Sequence, residues 1–286
     1  MSAEVFDDRR CFLGEGPLWH PLRGQLFWFD IIGQKLLSRD DSGPLEWAFD
    51  EPVSAAGWVD QDHLLIASAS ALWQFDLRDG ARTQICALEQ DTAATRSNDG
   101  RADPWGGFWI GTMGRETEPG LGAIYRYFLG NFRKLIGDIT ISNAICFAPD
   151  RSCAYFTDTA TQQLMRLPLD RDGWPSGAPE LFIDLGPDDL NPDGAVVDRS
   201  GTLWVAQWGA GRVAAYAPDR SFLRAVAVPG VHATCPAFGG ADFSTLFVTS
   251  ARQGLPAGVA HDQSPHGQTF AIHDVGEGAP EPRVIL

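Results

Sequence analysis

The chain has 286 residues, 44% of them hydrophobic, and a formal net charge of −15. Such a chain can bury a large core and is not disordered by composition. The acidic balance excludes non-specific nucleic-acid binding, which needs a basic footprint, and permits a cationic partner such as a metal ion, although an acidic surface that only maintains solubility accounts for the same charge.

Thirty-one Gly and 19 Pro indicate many turns, while 10 Trp and 17 Phe favour strands. The five cysteines form no CxxC pair and are odd in number, so a zinc cluster or disulfide framework is not expected. They read as small apolar residues in a reducing compartment. The opening MSAEVFDDRRCFLGEGP lacks the basic and apolar regions of a signal peptide, and no apolar run reaches membrane-spanning length. These features predict a cytoplasmic protein with no membrane partner.

In chain order, the first unit is EGPLWHPLRGQLFWFD, from Glu15 to Asp30. It reads as an apolar strand, a turn and a second strand, with LLSRD and EWAFD as candidate third and fourth strands. The same layout returns as AGWVDQDHLLIAS from Ala56, followed by ALWQFDL, and as NDGRADPWGGFWIGT from Asn98, followed by AIYRYF. NAICFAPDRSCAYFTD, from Asn143 to Asp158, matches the first unit in length and in its terminal Asp; QLMRLPL and LFIDL follow it. DGAVVDRSGTLWVAQ from Asp193 precedes RVAAYAP and LRAVAV, and CPAFGGADFSTLFVTS from Cys235 precedes TFAIHD. The second strands begin near Leu26, Leu64, Phe108, Ala154, Leu203 and Leu246, spaced by roughly forty to fifty residues, the length range of propeller blades.

Six units of about four strands predict an all-β, six-bladed propeller spanning 1–286 as a single domain. A β-solenoid would show a shorter repeat. In a propeller the first strand of each blade flanks the central channel, so the start of each first strand faces its counterparts. Those slots hold Glu15, Ala55 or Ala56, Asn98, Asn143, Asp193 and Cys235. Asn and Asp also start turns, and Glu15 alone is compatible with solvation. Four oxygen-bearing side chains sharing one slot favour a hard-cation site, with a divalent ion offsetting the cost of burying two carboxylates.

At these residues the sequence resembles the family of senescence marker protein, gluconolactonase and luciferin-regenerating enzyme, which includes regucalcin. The matching stretches are LGEGPLWHP, RSNDGRADPWGGFWIGTM, ISNAICFAPD, NPDGAVVDRSGTLWVAQWGAGRV and FGGADFSTLFVTSAR, in order along most of the chain. The resemblance implies a six-bladed propeller with a metal site at one end of its channel. It also implies that Glu15, Asn143 and Asp193 ligate one divalent ion, that Asp193 acts as general base, and that Arg96, Asn98 and Glu116 contact a sugar lactone or the ion's outer sphere.

The residue types suit metal-dependent hydrolysis of an aldonolactone to the open aldonate in sugar catabolism. The ion polarises the carbonyl, Asp193 activates water, and Arg96 and Asn98 hydrogen-bond a polyol. Oxygen ligation suits Ca²⁺, Mg²⁺ or Mn²⁺, and also admits Zn²⁺ or Fe²⁺. No G-x-S-x-G elbow provides a covalent nucleophile, and the six histidines show no H-x-x-x-H spacing. Trp208 is a candidate pocket wall, and the segment 253–268 either covers the substrate or is a surface connection. The alternatives are a related metal-dependent phosphotriester hydrolase and a non-catalytic calcium-binding propeller. A propeller closes on itself, so the sequence sets no oligomeric state.

Overall fold

The computed structural model describes residues 2–256, 258–259 and 264–286. Its strands form six four-stranded antiparallel sheets. The first five are consecutive meanders. Blade one holds β2 (Gly14–His20), β3 (Gln25–Asp30), β4 (Lys35–Asp40) and β5 (Gly43–Ala48). Blade two holds β6 (Val53–Trp58), β7 (His63–Ser68), β8 (Ala71–Asp76) and β9 (Arg82–Ala87), and blade three β10 (Thr95–Ala102), β11 (Phe108–Gly114), β12 (Gly122–Phe128) and β13 (Asn131–Ile139). Blade four comprises β14 (Ser142–Phe147), β15 (Cys153–Asp158), β16 (Gln163–Pro168) and β17 (Glu180–Asp184). Blade five comprises β18 (Asn191–Val197), β19 (Leu203–Trp208), β20 (Arg212–Tyr216) and β21 (Phe222–Ala227).

The sixth blade joins the chain's two ends. Strands β22 (His232–Gly239), β23 (Thr245–Ala251) and β24 (Thr269–Ile272) are completed by β1 (Glu4–Asp7), which pairs with β24. The inner strands β2, β6, β10, β14, β18 and β22 touch in succession, and β22 meets β2 to close the ring. The six-bladed fold agrees with the sequence repeat. Strands β1, β9 and β13 carry no clear apolar signal because they lie at blade edges; the β9 side chains are exposed or half-buried throughout.

Packing follows the same symmetry. Each interface between neighbouring blades has its own apolar cluster. Phe27, Phe29 and Leu36 of blade one meet Leu64, Ile66 and Phe75 of blade two, and Trp204 of blade five meets Phe238 and Phe270 of blade six. In blades two to six the hairpins between first and second strands are closed by aspartates. Asp103 accepts hydrogen bonds from the Trp105 and Gly107 amides, and Asp198 from those of Ser200 and Thr202. These Asx turns explain the Asp-rich punctuation of the repeat.

After β24 the chain continues without strands across one end of the channel. The Glu277 carbonyl accepts from the Arg199 amide, and the Gly278 amide donates to the Phe243 carbonyl, on blades five and six. Farther on, Val284 and Ile285 donate to Trp58 and Gly106, on blades two and three. Among the described residues, no helix is long and apolar enough to cross a membrane.

Pairing of β1 with β24 ties the N-terminus into the ring, and Asp7 adds an ion pair to Arg39 across to blade one. Removing residues 1–8 is expected to lower the melting temperature by several degrees, at roughly 2–4 °C per kcal/mol for a chain near this size. An unchanged melting curve would show that the ring closes equally well on three strands in its last blade.

Candidate functional site

All six inner strands are bulged near the channel mouth. Pairing is interrupted between Glu15 and Leu18, Val53 and Ala55, Ser97 and Gly100, Asn143 and Cys146, Pro192 and Ala195, and Ala233 and Pro236. A bulge breaks the strict alternation of side chains and re-aims them. Here it allows polar side chains from several blades to gather at the axis.

The register also corrects the single-slot expectation. Glu15 and Asn143 are the last paired residues before their bulges, whereas Asn98 and Asp193 are the first unpaired ones. The residues equivalent to Asn98 and Asp193 are Ser54 in blade two and Thr234 in blade six, rather than Ala55 or Ala56 and Cys235. In blades one and four the residue after the polar side chain is left-handed: Gly16 has φ 54° and Ala144 φ 57°. A Cβ on Gly16 would lie 2.2 Å from the Ser54 carbonyl oxygen, so glycine is required there. Ala144 holds the strained conformation with a side chain, a type of strain that gathers at functional sites.

The result is a cavity of about 380 Å³. Glu15, Arg96, Asn98, Asn143 and Asp193 line it, and Leu13, Met113, Ile141 and Trp208 form apolar wall. Glu116 is not brought in. It is exposed on a turn in which the Glu118 carboxylate accepts from the Glu116 amide, and the neighbouring Thr117 lines the cavity in its place. Gln253 also lines the cavity, whereas residues 257 and 260–263 of the segment 253–268 lie outside the described residues.

A hydrogen-bond chain fixes the polar groups. Arg96 Nη1 donates to Asn98 Oδ1 (2.7 Å), and Asn98 Nδ2 donates to Asn143 Oδ1 (3.0 Å). Asn143 Nδ2 then donates to Thr159 Oγ1 (2.9 Å), whose hydroxyl donates to the Pro192 carbonyl (2.7 Å), beside Asp193. The chain spans three blades with consistent donor polarity. It sets which face of the Asn143 amide carries the oxygen and leaves that oxygen a second lone pair. Thr159 was not expected from the sequence; its signal is its place just after the Asp that ends its unit.

That terminal Asp has its own role. Asp158 accepts from the Thr140 and Ile141 amides, and Asp30 accepts from those of Phe12 and Leu13. Both pin the apolar wall residue, Ile141 or Leu13, two positions before the polar residue at the bulge.

The charges at the axis do not balance. Glu15, Asp99, Asp193 and Glu281 are buried, and so are Arg96 and Arg101. Four carboxylates against two guanidiniums leave a formal excess of two negative charges when all are ionised. Burial raises the pKa of Glu15, with repulsion from Asp99 adding to it, and raises that of Asp193, with repulsion from Glu15 adding. Burial lifts Asp99 to about 6. Burial pulls Arg96 down to about 10, so it stays cationic at neutral pH.

These residues fit a divalent ion. One such ion supplies the missing charge, and two carboxylates with an oriented amide oxygen form a hard donor set. Among the described residues, no three His, Cys, Asp or Glu side chains converge as a metal cluster. The amide of Asn143, which is not one of those residue types, lines the same cavity as Glu15 and Asp193.

Trp208 stands at the cavity wall with its ring stacked on His232, centroids 4.0 Å apart and 15° from parallel. His232 Nδ1 bonds the Gln253 carbonyl (2.8 Å), and burial lowers the imidazole pKa, which keeps the stack neutral.

Comparison with known proteins assigns the chain to a family. The family described as SMP-30/Gluconolactonase/LRE-like region matches residues 13–252. The chain belongs to that family. It is 41% identical, over all of its own length and 98% of the other, to a Rhizobium meliloti protein named "Putative sugar lactone lactonase". It is 36% identical to the L-arabinolactonase of Azospirillum brasilense, covering 94% of this chain and 91% of that one. Among solved structures, a calcium-binding protein, regucalcin, from Agrobacterium tumefaciens superposes with a TM-score of 0.96 at 41% identity, covering 100% and 98% of the two chains.

The raised carboxyl pKa values predict a pH dependence. A buried carboxyl whose folded pKa exceeds its unfolded one holds a proton that the unfolded chain has released. Stability of the ion-free protein should therefore fall as pH rises from about 4, the ordinary carboxylate value, through the raised values of Asp99, Glu15 and Asp193. Added Ca²⁺ or Mn²⁺ should flatten that slope and raise the melting temperature most at high pH. Melting curves at several pH values, with and without ion, test this; a stability that rises across the same window without ion would contradict the charge assignment.

Proposed function

We propose that this protein hydrolyses a sugar-derived lactone to its open aldonate, with one divalent ion held by Glu15, Asn143 and Asp193. Lactone hydrolysis as the general activity is supported by the family and by the lactonases among its relatives. The observation that carries the ion-dependent reading is the excess of two buried negative charges, which includes Glu15 and Asp193 at the cavity wall. The whole chain, 1–286, acts in this reading as one catalytic propeller.

When bound, the ion supplies Lewis acidity to a carbonyl oxygen. The remaining chemistry belongs to the chain. Asp193 accepts the proton of the attacking water, and a cation beside it restores the ionised form that burial opposes. Arg96 is anchored by Nη1 to the Ser97 carbonyl and Asn98 Oδ1, which leaves its other nitrogens to donate to ring oxygens. Asn98 holds Asn143 in the orientation that offers its oxygen. Leu13, Met113, Ile141 and Trp208 pack the carbon face of the ring and thin the water around it. Glu116 has no part in this reading.

Proton release from a panel of aldonolactones, corrected for spontaneous opening, tests the proposal. Ion-stripped protein should be inactive and recover with a divalent ion. Asp193→Ala should lose about a hundredfold or more of kcat, as removal of a general base does. Trp208→Ala should raise KM severalfold with little change in kcat. Full activity of ion-stripped protein would end the ion-dependent reading, and full activity of Asp193→Ala would end the role of that residue as base.

A further inference from the structure

Beneath the cavity, the channel is closed by one side chain. Arg101 leaves β10 of blade three and reaches across the axis. Its Nε donates to the Ile145 carbonyl at 3.3 Å, and Nη2 to the Ala195 carbonyl at 3.0 Å and the Pro236 carbonyl at 3.4 Å. Those carbonyls belong to blades four, five and six. The remaining arm, Nη1, is paired with the Glu281 carboxylate of the C-terminal segment. The Glu281 carbonyl in turn accepts from Trp58 Nε1 of blade two, at 2.7 Å. Toward Gly16, Ala56 and Cys235 the free space beside this pair is only about 10 Å³, while toward Cys146, Pro149 and Val196 both residues border a cavity of about 230 Å³.

The carbonyls it grips lie at the bulges. Ile145 is unpaired in the β14–β15 ladder: its amide donates to Asp99 Oδ2 at 2.7 Å and its carbonyl accepts from Arg101. Two residues earlier in the same bulge is Asn143. Ala195 is the first residue to pair again after the bulge that carries Asp193, and Pro236 is its counterpart in blade six. A planar fork with five donors can serve three carbonyls and a carboxylate together, which an ammonium cannot do at these separations.

We propose that Arg101, held by Glu281, is a positioning residue for the ion site: it fixes the bulges of blades four and five, so that Asn143 and Asp193 meet Glu15 at ligand distance. The C-terminal segment is then part of the catalytic apparatus although it lies on the opposite side of the plug from the cavity. The inference rests on the reading of Glu15, Asn143 and Asp193 as ion ligands.

The test is calorimetric titration of stripped protein with Ca²⁺ and Mn²⁺, with lactone kinetics and melting temperature alongside, for wild type, Arg101→Lys, Glu281→Gln and the double variant. Arg101→Lys keeps the charge and loses the fork. It should weaken ion affinity by about tenfold or more, the scale seen for outer-shell partners of metal ligands. At saturating ion its kcat should fall while KM for the lactone changes little. Glu281→Gln, the variant least disruptive to packing, should weaken ion affinity in the same direction, and the double variant should be no worse than Arg101→Lys because both act through one contact. Ion affinities within about twofold of wild type in folded Arg101→Lys and Glu281→Gln, with only melting temperature lowered, would reduce the pair to a structural plug and overturn the proposal. Wild type that binds neither ion would overturn the ligand reading as well, so the two failures are told apart by the wild-type titration alone.

Discussion

Two carboxylates buried side by side at the mouth of the channel set the terms for the rest of this structure. Glu15 and Asp193 come from blades one and five and line the same cavity. Removing two like charges from water without compensation costs several kcal/mol. The fold offsets part of that cost with Arg96 and with backbone donors: the Gly16 amide donates to Glu15 Oε2, and the Gly194 amide to the Asp193 carboxyl. Protons take up part of the rest, since burial raises the pKa of both carboxyls. The site thus carries buried negative charge of the kind that a divalent cation would offset, as proposed above.

A propeller is suited to holding such an arrangement because no single blade has to carry it. Inner strands contribute polar side chains beside their bulges, and several of these are steadied by hydrogen bonds to the next blade. Ser54 of blade two bonds Ser97 of blade three, Asn98 of blade three bonds Asn143 of blade four, and Thr159 of blade four bonds the Pro192 carbonyl of blade five. Apolar clusters between every pair of blades supply the stability, so the axis is free to be polar. The sixfold repeat provides position, and departures from the repeat at the bulges provide chemistry.

The repeat itself was legible because burial imposes it. The first and second strands of each blade are buried almost throughout, so their apolar runs and the Asp turns between them recur in the sequence. Glu15, Asn98, Asn143 and Asp193 were legible for the same reason, as polar residues near the start of buried first strands, whereas Arg96 came only with the family resemblance. The one-residue offset between Glu15 and Asp193 was not, because a bulge inserts a residue into the ladder without a mark in composition. Strand β1 was missed because four residues at a blade edge carry little pattern. Arg101 and Glu281 were missed because their pairing joins positions 180 residues apart, and an isolated Glu in a proline-flanked tail looks like solvated charge. Glu116 shows the reverse error. A loop residue next to a buried strand was expected at the site, but the turn from Gly114 to Thr117 leaves it in solvent, and its exposed neighbour Thr117 borders the cavity instead.

Chemistry and recognition occupy different parts of this site. Glu15, Arg96, Asn98, Asn143 and Asp193 sit on buried inner strands beside bulges, and hydrogen bonds within and between blades tie Arg96, Asn98 and Asn143 together. The opposite wall is built otherwise. Trp208 ends β19, rests on His232, and His232 is held by the carbonyl of Gln253 at the start of the long connection to β24. Part of that wall's support therefore comes from the connection after β23 and part from the start of the inner strand β22. A pocket divided in this way allows relatives of one fold to differ in the sugar they accept while keeping the same catalytic centre. In this chain Trp208 gives that wall an aromatic face, a surface that can pack against the carbon face of a ring.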